Sequence, residues 1–317
     1  MKQLQFEVWQ ECNSGCDFCY LKSIEFIQHS VPFKIERLKK IQKIIEDVNT
    51  YKEYDTISFI GGEFFQGQLN DESVKSAWYD MIDATVRMQK AGYIKQVWLM
   101  CSLLIGKQPD LYETLSRLNG NSIVWVVTSY DTKGRFKGKM LQTWESHMKQ
   151  IKEKFPDIKL NTTCILTQDL IDKYNRGDFT FTELSEKYQT SIFLKPCAVQ
   201  SNSTIEKIRE MKKEHALHDP SFFPSRQSFL EFLYRVKMQE GSVFFEQSIY
   251  DVHRRADTLL HLGLDGFTEE SDTRIKNQSL QAEAQSNAGD CGHSLYYRIY
   301  SDSDECCLCD KYMVGEI

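Results

Sequence analysis

Cys12-Asn13-Ser14-Gly15-Cys16-Asp17-Phe18-Cys19-Tyr20 carries three thiols, with three and then two residues between them. Three thiolates on one short loop can ligate three irons of a cubane cluster, because biological iron–sulfur clusters are held by cysteine thiolate. A loop with only three donors leaves the fourth iron open to another ligand. A second reading also stays open. Close cysteines with one Cys-x-x-Cys spacing can form part of a zinc site, which takes four nitrogen or sulfur ligands.

The loop follows Leu4-Gln5-Phe6-Glu7-Val8-Trp9, an alternating run that predicts a strand. Further on, Thr56–Ile60 predicts a second strand, which ends in Gly61-Gly62-Glu63. Two glycines permit close backbone approach, and a carboxylate can receive an ammonium group. Between these strands, Ile35, Leu38, Ile41, Ile44, Ile45 and Val48 have helical spacing. Asn70-Asp71-Glu72 opens a helix through about Lys90, with Gly92 as a stop. Strands are then expected at Gln96–Ser102, Ser122–Thr128, Lys159–Thr167 and Ser191–Pro196. Helices are expected at Pro109–Leu118, Met140–Lys154 and Phe181–Tyr188. Strands that alternate with helices predict parallel βαβ units in an α/β fold. Right-handed crossovers would curl such units into a barrel or a segment of one.

The cysteine loop and the Gly-Gly-Glu turn resemble the radical S-adenosylmethionine (SAM) enzymes. The resemblance implies a partial (β/α)6 TIM-like barrel whose site lies at the carboxy ends of the strands. It implies a [4Fe–4S] cluster on Cys12, Cys16 and Cys19, with SAM chelated at the open iron. Reductive cleavage of SAM to a 5′-deoxyadenosyl radical, which takes hydrogen from a substrate, is the chemistry implied. Gly61, Gly62 and Glu63 would seat the methionyl group, and Phe18 would lie near the adenine. Many relatives have proline after the glutamate, where this chain has Phe64. A low-potential electron donor of flavodoxin or ferredoxin type is the implied partner.

Other strand ends offer further candidates. Thr128-Ser129-Tyr130-Asp131 resembles the Ser-x-Asp of peptide-modifying members, where polar groups contact SAM; an ordinary turn is an equal reading. Asn161 and Thr163 are polar residues in an apolar strand, expected either in the barrel lumen or exposed at the strand start. Cys197 is either a buried thiol, a radical quencher or an extra ligand. Lys133, Arg135, Lys137 and Lys139 form a basic run, read as a solvated loop or as a phosphate contact.

Composition changes near residue 200. Residues 1–200 are expected to be the barrel core, and 201–265 a helical segment packing on it, with helices at Thr204–His215 and Ser225–Gln239. A polar linker is expected at 266–289. Residues 290–317 form a cysteine-rich extension resembling the twitch or SPASM extensions of the same family. Cys291, Cys306, Cys307 and Cys309 are its candidate ligands, for a second iron–sulfur cluster or for zinc. His215, His218, His253 and His261 show no metal-like pairing with a cysteine.

The 317 residues suffice for one large domain and a small appendage, and 41% hydrophobic with 26% charged residues predict a globular fold. No apolar run approaches the ~20 residues of a membrane span. No amino-terminal signal pattern is evident, so a cytoplasmic protein is expected, its ten cysteines serving metals rather than disulfides. A net charge of −6 gives no support to a broad phosphate-tracking surface. The substrate stays open between a peptide or protein side chain and a nucleotide or nucleic-acid base. From another class, a non-catalytic metal-bound binding module is the competing reading.

Overall fold

A computed structural model describes residues 3–17, 28–52, 54–196, 226–240 and 259–262. Its strands are β1 (Gln3–Glu7), β2 (Thr56–Ile60), β3 (Gln96–Met100), β4 (Ile123–Tyr130), β5 (Lys159–Leu166), β6 (Ser191–Pro196) and β7 (Leu259–Leu262). Its helices are α1 (Val31–Glu46), α2 (Glu72–Lys90), α3 (Pro109–Leu118), α4 (Met140–Lys154), α5 (Gln168–Arg176), α6 (Phe181–Tyr188) and α7 (Arg226–Glu240). All seven strands join one sheet in the order β6-β5-β4-β3-β2-β1-β7. Every pairing is parallel. From β1 to β6 each strand lies beside its predecessor and the order never reverses. That winding is consistent with a partial TIM-like barrel rather than a doubly wound sheet.

Strand alternation divides the sheet into two faces. Leu4, Phe6, Ile57, Phe59, Val97, Leu99, Val124, Val126 and Leu160 enter the core. There they meet Leu38, Ile41 and Ile45 of α1, Trp78, Met81 and Ile82 of α2, and Leu115 of α3. The other face is more polar and more open. Gln5, Trp98 and Trp125 are partly exposed on it, and the two indoles stack with centroids 5.2 Å apart.

Several boundaries differ from expectation. α1 starts at Val31 because Ser30 caps it, accepting from the Phe33 N–H at 3.3 Å. β4 runs on to Tyr130 because β5 continues to pair with it, Ser129 opposite Thr163 and Tyr130 opposite Cys164. Ser129 therefore lies within a strand rather than in the turn after it. β3 ends at Met100 and β5 at Leu166. Thr167 caps α5, a helix the periodicity did not reveal, and Gly177 closes it at φ 79°.

The segment expected to be helical over 201–265 also contains a strand. β7 is only four residues long and carries no helical period, and it covers the otherwise open edge of β1. α7 docks on α5 and α6. Phe232 meets Tyr174 and Phe181 at 5.3 and 6.0 Å. The Glu240 carboxylate accepts from the backbone N–H groups of Phe181 and Thr182 at 3.1 and 2.7 Å, at the amino end of α6.

No helix among the described residues is long and apolar enough to cross a membrane. Phe18, Cys19, Cys197, the expected helix at Thr204–His215, the linker 266–289 and Cys291, Cys306, Cys307 and Cys309 lie outside the described residues.

Candidate functional site

The chain leaves β1 through Val8–Glu11, and this stem lies directly on the Gly61-Gly62-Glu63 bend. The Gly62 N–H donates to the Trp9 carbonyl and the Glu63 N–H to the Glu11 carbonyl, both at 2.8 Å. The fit explains the glycines. A Cβ on Gly61 would stand 2.4 Å from the Trp9 oxygen, and one on Gly62 would stand 2.3 Å from the Glu11 oxygen. The close approach they permit is to the chain's own stem.

Below the bend lies an aromatic knot. Trp78 is surrounded by Trp9, Phe59, Phe64 and Phe65, with centroids 5.2 to 6.3 Å away. Trp9 Nε1 donates to the Glu63 carbonyl at 2.6 Å. Phe64, at the position where the resembled family often has proline, is fully buried in this knot. Burial of such a ring contributes about 1.5–3 kcal/mol.

α1 steadies the stem from the other side. The Glu11 carboxylate pairs with Lys34 at 2.7 Å and accepts from the His29 N–H. The Arg37 guanidinium donates to the Glu7 carbonyl. Burial lowers the His29 pKa, which suits a neutral ring accepting from the Gln10 N–H at 3.3 Å.

Glu63 is turned inward, with 1% of its surface exposed. One carboxylate oxygen accepts from the N–H groups of Phe64 and Phe65 at 2.8 and 3.4 Å, the other from the Ser102 N–H at 2.5 Å. Burial raises its pKa and these hydrogen bonds oppose the rise. As placed, the carboxylate ties the end of β2 to the residue two past β3, and its oxygens are occupied by the protein.

The described part of the cysteine loop holds Cys12, half-buried, and Cys16, buried, neither of them in a disulfide. Cys12 Sγ accepts from the Ser14 N–H at 3.4 Å. Gly15 between them has φ 58°, the left-handed region that favours glycine. Gln66 and Ser102 brace the loop from below, through Asn13 and Ser14. The β4–α4 connection braces its far end: the Asp17 N–H donates to the Gly134 carbonyl at 3.0 Å, and Lys137 Nζ to the Gly15 carbonyl at 2.9 Å.

The remaining candidates are placed differently. Asp131 is 1% exposed and binds Arg135 of its own loop, Oδ2 to Nε at 3.2 Å. Burial pushes its pKa up to about 6 against the pull of Arg135. Asn161, buried in β5, pairs in register with Val127 and Ser191. Among the described residues no hydrogen bond joins Ser129 or Asn161 to the cysteine loop. Two of the four cations of the basic run, Arg135 and Lys137, are engaged with Asp131 and Asp17, while Lys137 and Lys139 stay exposed to solvent. Burial pushes the Cys101 and Cys164 thiols up, which makes them core residues of low reactivity.

Soft thiolate donors suit an iron–sulfur cluster, and the loop presents two of them with an N–H directed at one sulfur. The third, Cys19, lies beyond the described part of the loop. Among the described residues no three His, Cys, Asp or Glu side chains gather into a metal-binding group.

Sequence reasoning missed Gln66, Ser102 and the partnership of Lys137 with Asp17. The basic run was visible, but nothing local names a partner more than a hundred residues away.

No family model matches the sequence, and no curated protein does. The fold is similar to a solved structure described as Streptococcus suis SuiB bound to S-adenosylmethionine, at 11% identity and a TM-score of 0.39. The match covers 68% of this chain and 43% of that one, so the chain spans less than half of that protein's length. A likeness of that size decides nothing about the chemistry of this chain.

Proposed function

We propose that this chain is a radical SAM enzyme. The observation that supports the reading best is the location of the Cys12–Cys16 loop at the carboxy edge of a parallel sheet, directly after a stem that Gly62 and Glu63 hold by hydrogen bonds to Trp9 and Glu11. Cys12, Cys16 and Cys19 are the proposed ligands of a [4Fe–4S] cluster. Bound there, such a cluster supplies the electron for reductive cleavage of S-adenosylmethionine, and with it hydrogen abstraction from a substrate. The chain's own share is to hold the thiols, to shape the loop and to exclude water. Gly61 and Gly62 let the bend close on the stem. Glu63 locks the bend to Ser102. Ser129, Asp131, Asn161 and Phe18 are proposed to shape the surroundings of SAM, with Asp131 acting through the loop it folds.

The proposed substrate is a peptide or protein side chain. The nucleic-acid alternative drew on the basic run, and Arg135 and Lys137 already serve internal carboxylates. A second metal site on Cys291, Cys306, Cys307 and Cys309, for iron–sulfur or zinc, and a flavodoxin- or ferredoxin-type electron donor belong to the same proposal.

The test is anaerobic reconstitution with iron and sulfide, followed by reduction in the presence of SAM. Brown protein that forms 5′-deoxyadenosine is expected, and Cys16→Ala should abolish the product. A colourless protein holding zinc, or unchanged turnover in Cys16→Ala, rejects the reading. Iron counts in wild type and in a Cys12/Cys16/Cys19 triple alanine variant separate one cluster from two.

A further inference from the structure

Gln66 sits three residues past Glu63 and is 9% exposed. Its Oε1 accepts from the Asn13 N–H at 2.7 Å. Its Nε2 donates to Ser14 Oγ at 2.6 Å and to Ser102 Oγ at 3.1 Å. Its backbone is held as well: the Gln66 carbonyl accepts from Asn13 Nδ2 at 3.3 Å, and its N–H donates to Gln68 Oε1 at 2.7 Å. One carboxamide thus spans the first two residues after Cys12 and the residue that also anchors Glu63.

The geometry uses both halves of the amide. Asn13 N–H needs an acceptor, and Nε2 lies between two hydroxyl oxygens. An apolar side chain offers neither function, and a carboxylate offers acceptors only. Cys12 Sγ lies 3.9 Å from Gln66 Oε1, within reach of a thiol donor. Once that thiol is deprotonated the contact has no hydrogen. A donor that stays at the sulfur is the Ser14 N–H, whose direction is set by the peptide segment that Gln66 grips.

We propose that Gln66 is a positioning residue for the cysteine loop. By fixing Asn13 and Ser14 it keeps the Ser14 N–H directed at the Cys12 sulfur and so sets the reduction potential of a cluster held there. The second half of this inference rests on the iron–sulfur reading above; the first half does not. Hydrogen bonds to cluster sulfurs help set reduction potential, and they favour the more negative reduced state. Loss of the grip therefore lowers the potential, and a carboxylate at the same place lowers it further by repulsion.

Two variants and Ser102→Ala make the test. In metal-free protein, Gln66→Leu should speed hydrogen exchange at the Asn13 amide by about tenfold or more, the scale of one lost hydrogen bond. In reconstituted protein, Gln66→Leu and Gln66→Glu should both lower the midpoint potential and alter the electron paramagnetic resonance line shape, with Gln66→Glu keeping the iron content of wild type. Ser102→Ala should shift both readouts in the direction of Gln66→Leu, by less. If wild type loads iron while potential, line shape and exchange are all unchanged in both Gln66 variants, the inference fails and the functional reading stands. If wild type loads no iron, the functional reading and the redox half of the inference fail together, and the exchange data alone judge the grip on the loop.

Discussion

Lys137 Nζ lies 2.9 Å from Asp17 Oδ1, although 120 residues separate them in the chain. The same ammonium reaches the Gly15 carbonyl, so the basic run closes over the cysteine loop. The ion pair is exposed at both ends, which limits it to about 0–1 kcal/mol. Lys137→Met should therefore barely move the urea midpoint, yet speed exchange at the Asp17 amide, whose partner is the Gly134 carbonyl. Any affinity for single-stranded RNA should keep its salt slope in this variant. A slope reduced by about one would mean that Lys137 reaches a phosphate and would reopen the nucleic-acid reading.

Glu63 accepts from three backbone N–H groups. In Glu63→Gln the new amide group would face one of those donors, most directly the Ser102 N–H. A cost of about 1–3 kcal/mol is expected for a buried donor left unmatched. Urea denaturation checks it. Unchanged stability with weakened SAM binding would instead show a carboxylate serving a ligand.

The bend itself should tolerate no side chain. Gly62→Ala places a methyl 2.3 Å from the Glu11 oxygen and 2.6 Å from the Gln10 oxygen, and backbone cannot yield as a flexible side chain can. A loss of about 2 kcal/mol or more is expected. Gly106→Ala is the control, since nothing lies within 4 Å of its added methyl. Its change should stay within about 0.5 kcal/mol. Equal effects at the two positions would contradict the packing described for the stem.

Asp131 has a sign that can be worked out. Its folded pKa is raised to about 6 from 3.8, so the folded chain binds the proton more tightly than the unfolded chain does. Stability from this group is greatest below the unfolded value and falls as pH rises from about 4 to about 6, by up to about 3 kcal/mol. Asp131→Asn should lack that decline. Denaturation of both proteins at pH 4.5 and pH 7.5 measures it as a double difference. A wild type that gains stability relative to Asp131→Asn over this range would show Arg135 outweighing burial.

Much of the layout was legible before any tertiary contact. β2, α3, α4, α6 and β6 run over the residues that spacing and turn signals mark. What escaped was short or polar. α5 buries only Leu170, Ile171 and Tyr174, too few to impose a period, although Thr167 and Gly177 flank it as start and stop signals. β7 has four residues and no alternation. The reach of β4 to Tyr130 was set by its partner β5 rather than by its own composition.

Residue type and local spacing were enough to mark Cys12, Cys16 and Cys19 as soft donors on one loop, and to predict parallel βαβ units, because both are properties of neighbours along the chain. The inward turn of Glu63 towards Ser102, the grip of Gln66 on Asn13 and Ser14, and the closure of Lys137 on Asp17 came only with the folded chain. Each joins groups from 39 to 120 positions apart. A polar side chain has a partner only where folding delivers one, and no local period encodes which of many donors that will be.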